Sequence, residues 1–255
     1  PTDSFGGLAC KFGTSRASHN WVGCLNNLIQ TLTKNANRSS SCGTWENQMS
    51  EKFYVNTVGA VSANKLSEAV SLGKELAKES KAAGSARASV GTMMTGNHAG
   101  SVVFQQFFHS LDDFSNVMDA FATSSTYGKI MDTGLRVTMR NIAKFCDVPF
   151  SGPTNPQRKY VVLTRAKSHI PQPDIMELMA QAAPLFEESG AQTFRFARLM
   201  TGNNAGDFLL GVGYPSMAEI EATYDAIGSS LIASSIYEAL DVNVRTIIKV
   251  QSTAV

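Results

Sequence analysis

Two seven-residue segments of the chain are nearly identical: residues 94–100 read MTGNHAG and residues 200–206 read MTGNNAG. The sequence before each phrase also matches, since the alternating, β-branched stretch KFYVNTVGAV from Lys52 has a counterpart in KYVVLTRAKS from Lys159. A repeat of roughly 106 residues is too long for a solenoid unit. The chain is therefore predicted to contain two copies of one domain.

Both copies predict the same order of elements after that first strand. An amphipathic helical pattern runs from Asn64 in copy one and from Pro173 in copy two, and ends at a glycine, Gly84 or Gly190, that suits a helix C-cap. Two strands follow, joined by the repeated phrase. Its glycines and asparagine suit a hairpin, and a phosphate-binding loop is disfavoured because a strand follows it instead of a helix.

The end of each copy repeats as well. Ser110 with Asp113, and Ser216 with Glu219, have the spacing of a capping box at the start of a second helix. A final β-rich segment then closes each copy. The predicted fold class is α+β, with two ferredoxin-like βαββαβ repeats.

The repeats divide the chain into four segments. Residues 1–48 have no counterpart, residues 49–146 form the first repeat, the Pro-rich residues 147–158 form a linker, and residues 159–255 form the second repeat. The first methionine is Met49, just before the first strand. One hypothesis is therefore that residues 1–48 are not part of the native protein, and the alternative is that they form a helical arm.

Composition limits the classes of partner. The formal net charge is +1, from 22 basic and 21 acidic side chains, so the sequence predicts neither a nucleic-acid nor a membrane-surface partner. No apolar run is long enough to span a bilayer, and a cytoplasmic location is expected. The cysteines at positions 10, 24, 42 and 146 have no CxxC spacing, so no metal site is predicted.

The βαββαβ order, its tandem duplication and the G-x-x-AG hairpin resemble the dimeric α/β-barrel superfamily. The resemblance covers residues 50–250 and is to antibiotic-biosynthesis-monooxygenase, NIPSNAP and EthD-type domains. It implies two four-stranded sheets facing each other in an eight-stranded barrel, either within one monomer or in a homodimer. The superfamily includes cofactor-free monooxygenases, haem enzymes, isomerases and stress proteins, so the fold alone does not select a reaction.

Three residues are candidates for catalysis. His109 ends a predicted strand next to two aspartates, which could raise the basicity of its imidazole. Arg140 and Arg245 occupy matching places in the last strands, where a guanidinium needs an anionic partner, either a nearby carboxylate or a substrate carboxylate or enolate.

Four further residues are candidates for ligand binding. The aromatic side chains Phe104, Phe108 and Tyr214 have strand spacing and build either the core or the wall of a pocket, and Arg198 lies in a strand before the second phrase. The first functional hypothesis is a stress-response or binding module for a small apolar or aromatic ligand, without a cofactor. The alternative is a cofactor-independent monooxygenase or isomerase, and haem binding through a histidine is a third.

Overall fold

The structure is a computed structural model, and it describes residues 51–255. The two hypotheses for residues 1–48, and the expectations for the three cysteines there, lie outside the described residues. Of the four cysteines, Cys146 is described and is a free thiol.

The described chain contains two successive sets of four strands and three α-helices, with a short 3₁₀ helix, Ala63–Lys65, before the first of them. In copy one these are β1 (Phe53–Ala60), α1 (Leu66–Ala82), β2 (Arg87–Met93), β3 (Val102–Phe108), α2 (Leu111–Thr123), α3 (Ser125–Asp132) and β4 (Arg136–Cys146). In copy two they are β5 (Tyr160–Ser168), α4 (Gln172–Glu188), β6 (Thr193–Leu199), β7 (Phe208–Tyr214), α5 (Met217–Ser229), α6 (Leu231–Ala239) and β8 (Leu240–Ala254).

The eight strands form one closed antiparallel barrel in the order β1-β3-β2-β8-β5-β7-β6-β4. Each copy contributes a four-stranded sheet in the ferredoxin-like order, β4-β1-β3-β2 or β8-β5-β7-β6. The two sheets join at two seams, β2 with β8 and β4 with β6. The predicted fold class is confirmed, and closure leaves no sheet edge open to another chain.

Alternation along the strands divides the core into three parts. Side chains pointing into the barrel, such as Val58, Val103 and Ile248, form a lumen core. Side chains pointing outward pack under the helices of their own copy, as Val55 does in copy one and Val162 does in copy two. Each copy therefore has its own helix–sheet interior, separate from the shared lumen.

The first repeated phrase attaches the hairpin of copy one to the last strand of copy two. The Met94 backbone N–H donates to the Ile247 carbonyl at 2.7 Å, and the Ile247 N–H donates to Thr95 Oγ1 at 2.8 Å. Gly96 follows with φ +81°, a conformation that favours glycine. The phrase thus continues the β2–β8 seam beyond the end of strand β2.

The second repeated phrase attaches the hairpin of copy two to the last strand of copy one. The Met200 N–H donates to the Ile142 carbonyl at 2.8 Å, and the Ile142 N–H donates to Thr201 Oγ1 at 2.9 Å. Here Gly202 has φ +91°. The phrase is repeated because each copy needs the same attachment to the other, and the predicted hairpins are confirmed.

Two local features differ from the sequence prediction. A second short helix, α3 or α6, follows the predicted one in each copy, and its N-cap serine, Ser124 or Ser230, accepts a backbone hydrogen bond. The capping box forms fully only at Ser110, where Asp113 accepts from the Ser110 N–H at 2.9 Å. In copy two the Ser216 hydroxyl donates to the Glu219 carboxylate, which replaces the reciprocal backbone bond.

Candidate ligand-binding cavities

Cavities lie in two kinds of place among the described residues. One cavity lies between the helices and the sheet in each copy, of about 70 Å³ in copy two and about 50 Å³ in copy one. Two more lie in the barrel lumen, one of about 310 Å³ at the hairpin end and one of about 40 Å³ at the opposite end.

The copy-two cavity lies between β5–β8 and helices α4 to α6. Its walls are aliphatic and aromatic side chains from the outer sheet face and the helices. They include Val162, Met179, Phe186, Phe196, Phe208, Val212, Tyr214, Tyr224, Ile236 and Tyr237. The lining carries one formal charge, on Arg245. An apolar cavity with one placed charge suits a small amphipathic molecule.

Arg245 lies at the mouth of this cavity, with its guanidinium accessible to solvent. Its Nε donates to Thr164 Oγ1 at 3.3 Å, and the guanidinium carbon lies 5.1 Å from the centre of the Tyr224 ring. Among residues 51–255, no carboxylate forms an ion pair with it. The guanidinium is therefore oriented by neutral neighbours and keeps its capacity to bind an anion.

Copy one contains the equivalent pair. Arg140 lies opposite Thr57 in the β1–β4 ladder, as Arg245 lies opposite Thr164 in β5–β8, and Arg140 Nε donates to Thr57 Oγ1 at 3.1 Å. Arg140 is half-buried and also contacts Met118 Sδ at 3.6 Å. The duplication has therefore kept one threonine–arginine pair beside each helix–sheet cavity.

The copy-two lining contains phenols but no group that titrates near neutrality. Burial raises the pKa of Tyr214 to about 12, and a hydrogen bond with Thr223 opposes that rise. Burial also raises the pKa of Tyr224, partly offset by the positive charge of Arg245. These phenols stay protonated at neutral pH, so they can donate hydrogen bonds to a ligand but cannot act as bases.

The structure does not bring the three candidate catalytic residues together. His109 is exposed, one residue beyond Phe108, which pairs with Phe53, whereas Arg140 pairs with Thr57 further along β1. At about 3.3 Å per residue, the two positions are roughly 15 Å apart along the strand. Arg245 lies on β8, across the barrel from the β4 strand of Arg140.

The four candidate ligand-binding residues also fall in different places. Phe104 lines the copy-one cavity and Tyr214 lines the copy-two cavity. Phe108 has no exposed surface and packs edge-on against Phe114 in the core. Arg198 is exposed at the barrel surface, where it donates to Gln172 Oε1 at 3.2 Å.

The large lumen cavity contains a charge that already has partners. Arg165 donates to Asn243 Oδ1 at 2.8 Å and to Asn204 Oδ1 at 2.6 Å, and it lies 3.7 Å from an Asp207 carboxylate oxygen. Sequence reasoning missed this group. The sign of it in the sequence is the one difference between the two repeated phrases, where copy two has Asn204 and copy one has His98. The Arg165 charge is thus paired within the protein, while His98 and Arg245 also line this polar cavity.

The small lumen cavity has a charge cluster that sequence reasoning also missed. Glu51 lies 3.0 Å from an Arg87 nitrogen and 3.7 Å from an Arg195 nitrogen, and Arg158 lines the cavity beside them. The sequence does contain a sign of this cluster: when the copies are aligned at Lys52 and Lys159, Glu51 of copy one falls opposite Arg158 of copy two.

Neither a metal cluster nor a membrane-spanning helix occurs within residues 51–255. No group of three or more histidine, cysteine or acidic side chains there is placed to hold a metal ion. No helix in this part of the chain combines the length and apolarity needed to cross a bilayer.

The closed barrel of two βαββαβ copies defines the class of the protein: a dimeric α/β barrel built within one chain. A family model described as Domain of unknown function (DUF6854) matches once in each copy, over residues 51–145 and 158–250. The chain belongs to this family. No curated protein matches the sequence.

Solved structures confirm the fold at low sequence identity. A Fusobacterium nucleatum protein proposed to be a monooxygenase matches with TM-score 0.57 and 13% identity, covering 80% of this chain and 95% of its own. A chlorite dismutase variant from Candidatus Nitrospira defluvii matches with TM-score 0.54 and 11% identity (81% and 93% covered). A haem-binding protein from Thermus thermophilus matches with TM-score 0.52 and 10% identity (79% and 92% covered).

Proposed function

We propose that the protein binds a small aromatic or apolar molecule that carries an anionic oxygen, in the helix–sheet cavity of copy two. The observation that supports this most is the position of Arg245 at the mouth of an apolar cavity, without a carboxylate partner among the described residues. The ligand's apolar body would lie among the aromatic side chains, and its carboxylate, phenolate or enolate oxygen would meet the guanidinium. Tyr214 would be part of the wall.

Binding without turnover is favoured by the chemistry of the lining. Oxygenation or isomerisation of such a molecule begins with removal of a proton, and the described lining offers no histidine, carboxylate, lysine or thiol as a base. His109 lies in the other copy. The alternative, a cofactor-independent monooxygenase or isomerase, then needs a substrate acidic enough to ionise on binding, with Arg245 stabilising the anion.

Haem does not fit the residues of the helix–sheet cavities. Haem iron takes an axial ligand such as histidine or a thiolate, and the described linings of these two cavities contain neither. The copy-two cavity, at about 70 Å³, is also far too small for a porphyrin as it stands. The ligand proposed for the copy-two cavity is therefore a smaller molecule than haem, and we place this role in the cytoplasm, as a stress-response or carrier protein.

Calorimetric titration of the full chain with benzoate, and with the neutral analogue benzyl alcohol, tests the proposal. Arg245→Met is expected to weaken benzoate binding about tenfold, the equivalent of one charge-assisted hydrogen bond, and to leave benzyl alcohol binding unchanged.

The matched control is Lys249→Met, which removes a positive charge from an exposed position on the same strand. If the control weakens benzoate as much as Arg245→Met does, or if benzoate binds no better than benzyl alcohol, the proposed role of Arg245 is wrong.

A further inference from the structure

We infer that the end of the barrel lumen away from the hairpins is a second binding site, specific for a small carboxylate with a short apolar tail. The site is the 40 Å³ cavity where β1, β5 and β6 begin and where β3 and β4 end. It is separate from the helix–sheet cavities, which lie on the outer face of the barrel wall.

The charges at this end are unbalanced among the described residues. The carboxylate at this end is that of Glu51, and its Oε2 lies 3.0 Å from an Arg87 nitrogen and 3.7 Å from an Arg195 nitrogen. Arg158, which lines the cavity, has no hydrogen bond or ion pair with a described residue. The carboxylate that attracts Arg158 is the same Glu51, so three guanidinium groups share one carboxylate, and a bound anion would stabilise this arrangement.

Arg87, beside the cavity, also has more hydrogen-bond donors than the acceptors around it can satisfy. It is 9% exposed, stacks 4.0 Å from the centre of the Phe107 ring, and its Nε is buried without a hydrogen-bond acceptor. Burial lowers its pKa to about 10, and the repulsion of Arg158 and Arg195 contributes to that shift while Glu51 opposes it. A further negative charge in the cavity would relieve this repulsion.

A glycine in strand β7 leaves the space in which the Arg158 side chain lies. Arg158 lies across Gly213, where a Cβ atom would come within 2.8 Å of Arg158 Cδ and 2.5 Å of Thr193 Oγ1. The missing side chain at Gly213 thus gives room for the arginine stem beside the Thr193 hydroxyl. Arg158, Arg195 and Thr193 together present three donor groups to one side of the cavity.

The other side of the cavity is apolar, and a polar layer lies towards the larger lumen cavity. Gln105 Nε2 donates to the Tyr54 hydroxyl at 2.6 Å, and that hydroxyl donates to Asn56 Oδ1 at 3.2 Å. Between this layer and the arginines lie apolar side chains: Phe107, Phe145, Val161, Leu163, Ala197 and Leu209. The 40 Å³ volume holds about three waters, so it suits a carboxylic acid of about two to four carbons.

Calorimetric titration of the full chain with propionate tests this inference, with 1-propanol as the neutral analogue and inorganic phosphate as a bulkier, wholly polar anion. We expect saturable binding of propionate, and weaker binding of both comparison compounds. Arg158→Gln is expected to weaken propionate at least tenfold, whereas Lys159→Gln, which removes the charge of the exposed neighbour, leaves it unchanged.

A second variant tests the cavity without removing a charge. Gly211 lines it, and a Cβ there makes only ordinary contacts, the nearest at 3.7 Å from Leu163 Cδ1, so Gly211→Val adds volume to the cavity from a Cβ atom that meets no clash. We expect this variant to fold and to lose propionate binding.

Several outcomes would overturn the inference: no saturable binding of propionate to the wild type, equal binding of phosphate, or unchanged affinity in Arg158→Gln and Gly211→Val. Arg245→Met separates this site from the proposed function, because it should leave propionate binding intact whether or not it weakens benzoate.

Discussion

Buried phenols make the stability of this barrel depend on alkaline pH. Tyr214 is 2% exposed, and its pKa of about 12 means that the folded protein holds the phenol proton more tightly than the unfolded chain, whose pKa is near 10. The stabilisation is fully present below pH 10 and is lost as the pH rises through 12. Burial raises the pKa of Tyr54 in the lumen as well.

Tyr214→Phe is therefore expected to be less sensitive to alkali than the wild type. At pH 11 the ionisation of this phenol should remove about 1.4 kcal/mol from the free energy of unfolding of the wild type relative to pH 8, and the variant should be spared that loss. Urea unfolding followed by circular dichroism at the two pH values measures the difference. Equal losses in both proteins would show that Tyr214 ionises as freely when folded as when unfolded.

At the scale of elements, the hairpins show how two copies of one phrase can meet different neighbours. A Cβ on Gly96 would lie 3.4 Å from Thr246 Oγ1, a tight but tolerable distance. A Cβ on Gly202 would lie 3.0 Å from Asn141 Cγ and closer still to its oxygen. Asn141 and Thr246 occupy matching positions on β4 and β8, so divergence at that position changed the space above each hairpin glycine.

Alanine substitutions should reveal this asymmetry. Gly96→Ala should cost about 1–2 kcal/mol, because alanine must adopt a positive φ, and Gly202→Ala should cost more, because it also displaces Asn141. Adding Asn141→Ala to Gly202→Ala should remove the excess. Chemical denaturation of the single and double variants gives the free energies of unfolding for a double-mutant cycle. An equal loss of stability at the two glycines would contradict the contact with Asn141.

The sequence predicted the helices, strands and turns better than it predicted the contacts between them. Strand alternation, helical periodicity and the cap glycines Gly84 and Gly190 reflect local preferences, so they could be read directly. Helices α3 and α6 were missed because segments so short show little periodicity. The pairing of Arg140 with Thr57 and the lumen cluster depend on strand register across the barrel, which one sequence does not encode locally.

At the scale of the whole molecule, the two seams of the barrel are unequal. Strand β2 pairs with β8 over Ala88–Met93, whereas β4 pairs with β6 only over Ala143–Cys146. Fewer ladder hydrogen bonds then hold the second seam. The barrel should open first between β4 and β6.

Amide hydrogen exchange measures this order of opening. Under native conditions, the amides that β4 and β6 share should exchange faster than those that β2 and β8 share, whereas β1 and β5, central in their sheets, should exchange slowest. Equal protection at the two seams would indicate a barrel that opens as one unit.

The exchange of Glu51 for Arg158 between the copies has a consequence for symmetry. In a homodimer with this architecture, every lumen residue would occur twice around the two-fold axis, so a glutamate at this position would face a second glutamate and an arginine would face a second arginine. Fusion of the subunits into one chain releases each position from its mirror partner. A pocket with opposite charges across the former axis is an arrangement that a homodimer cannot have and that one chain with two diverged copies can.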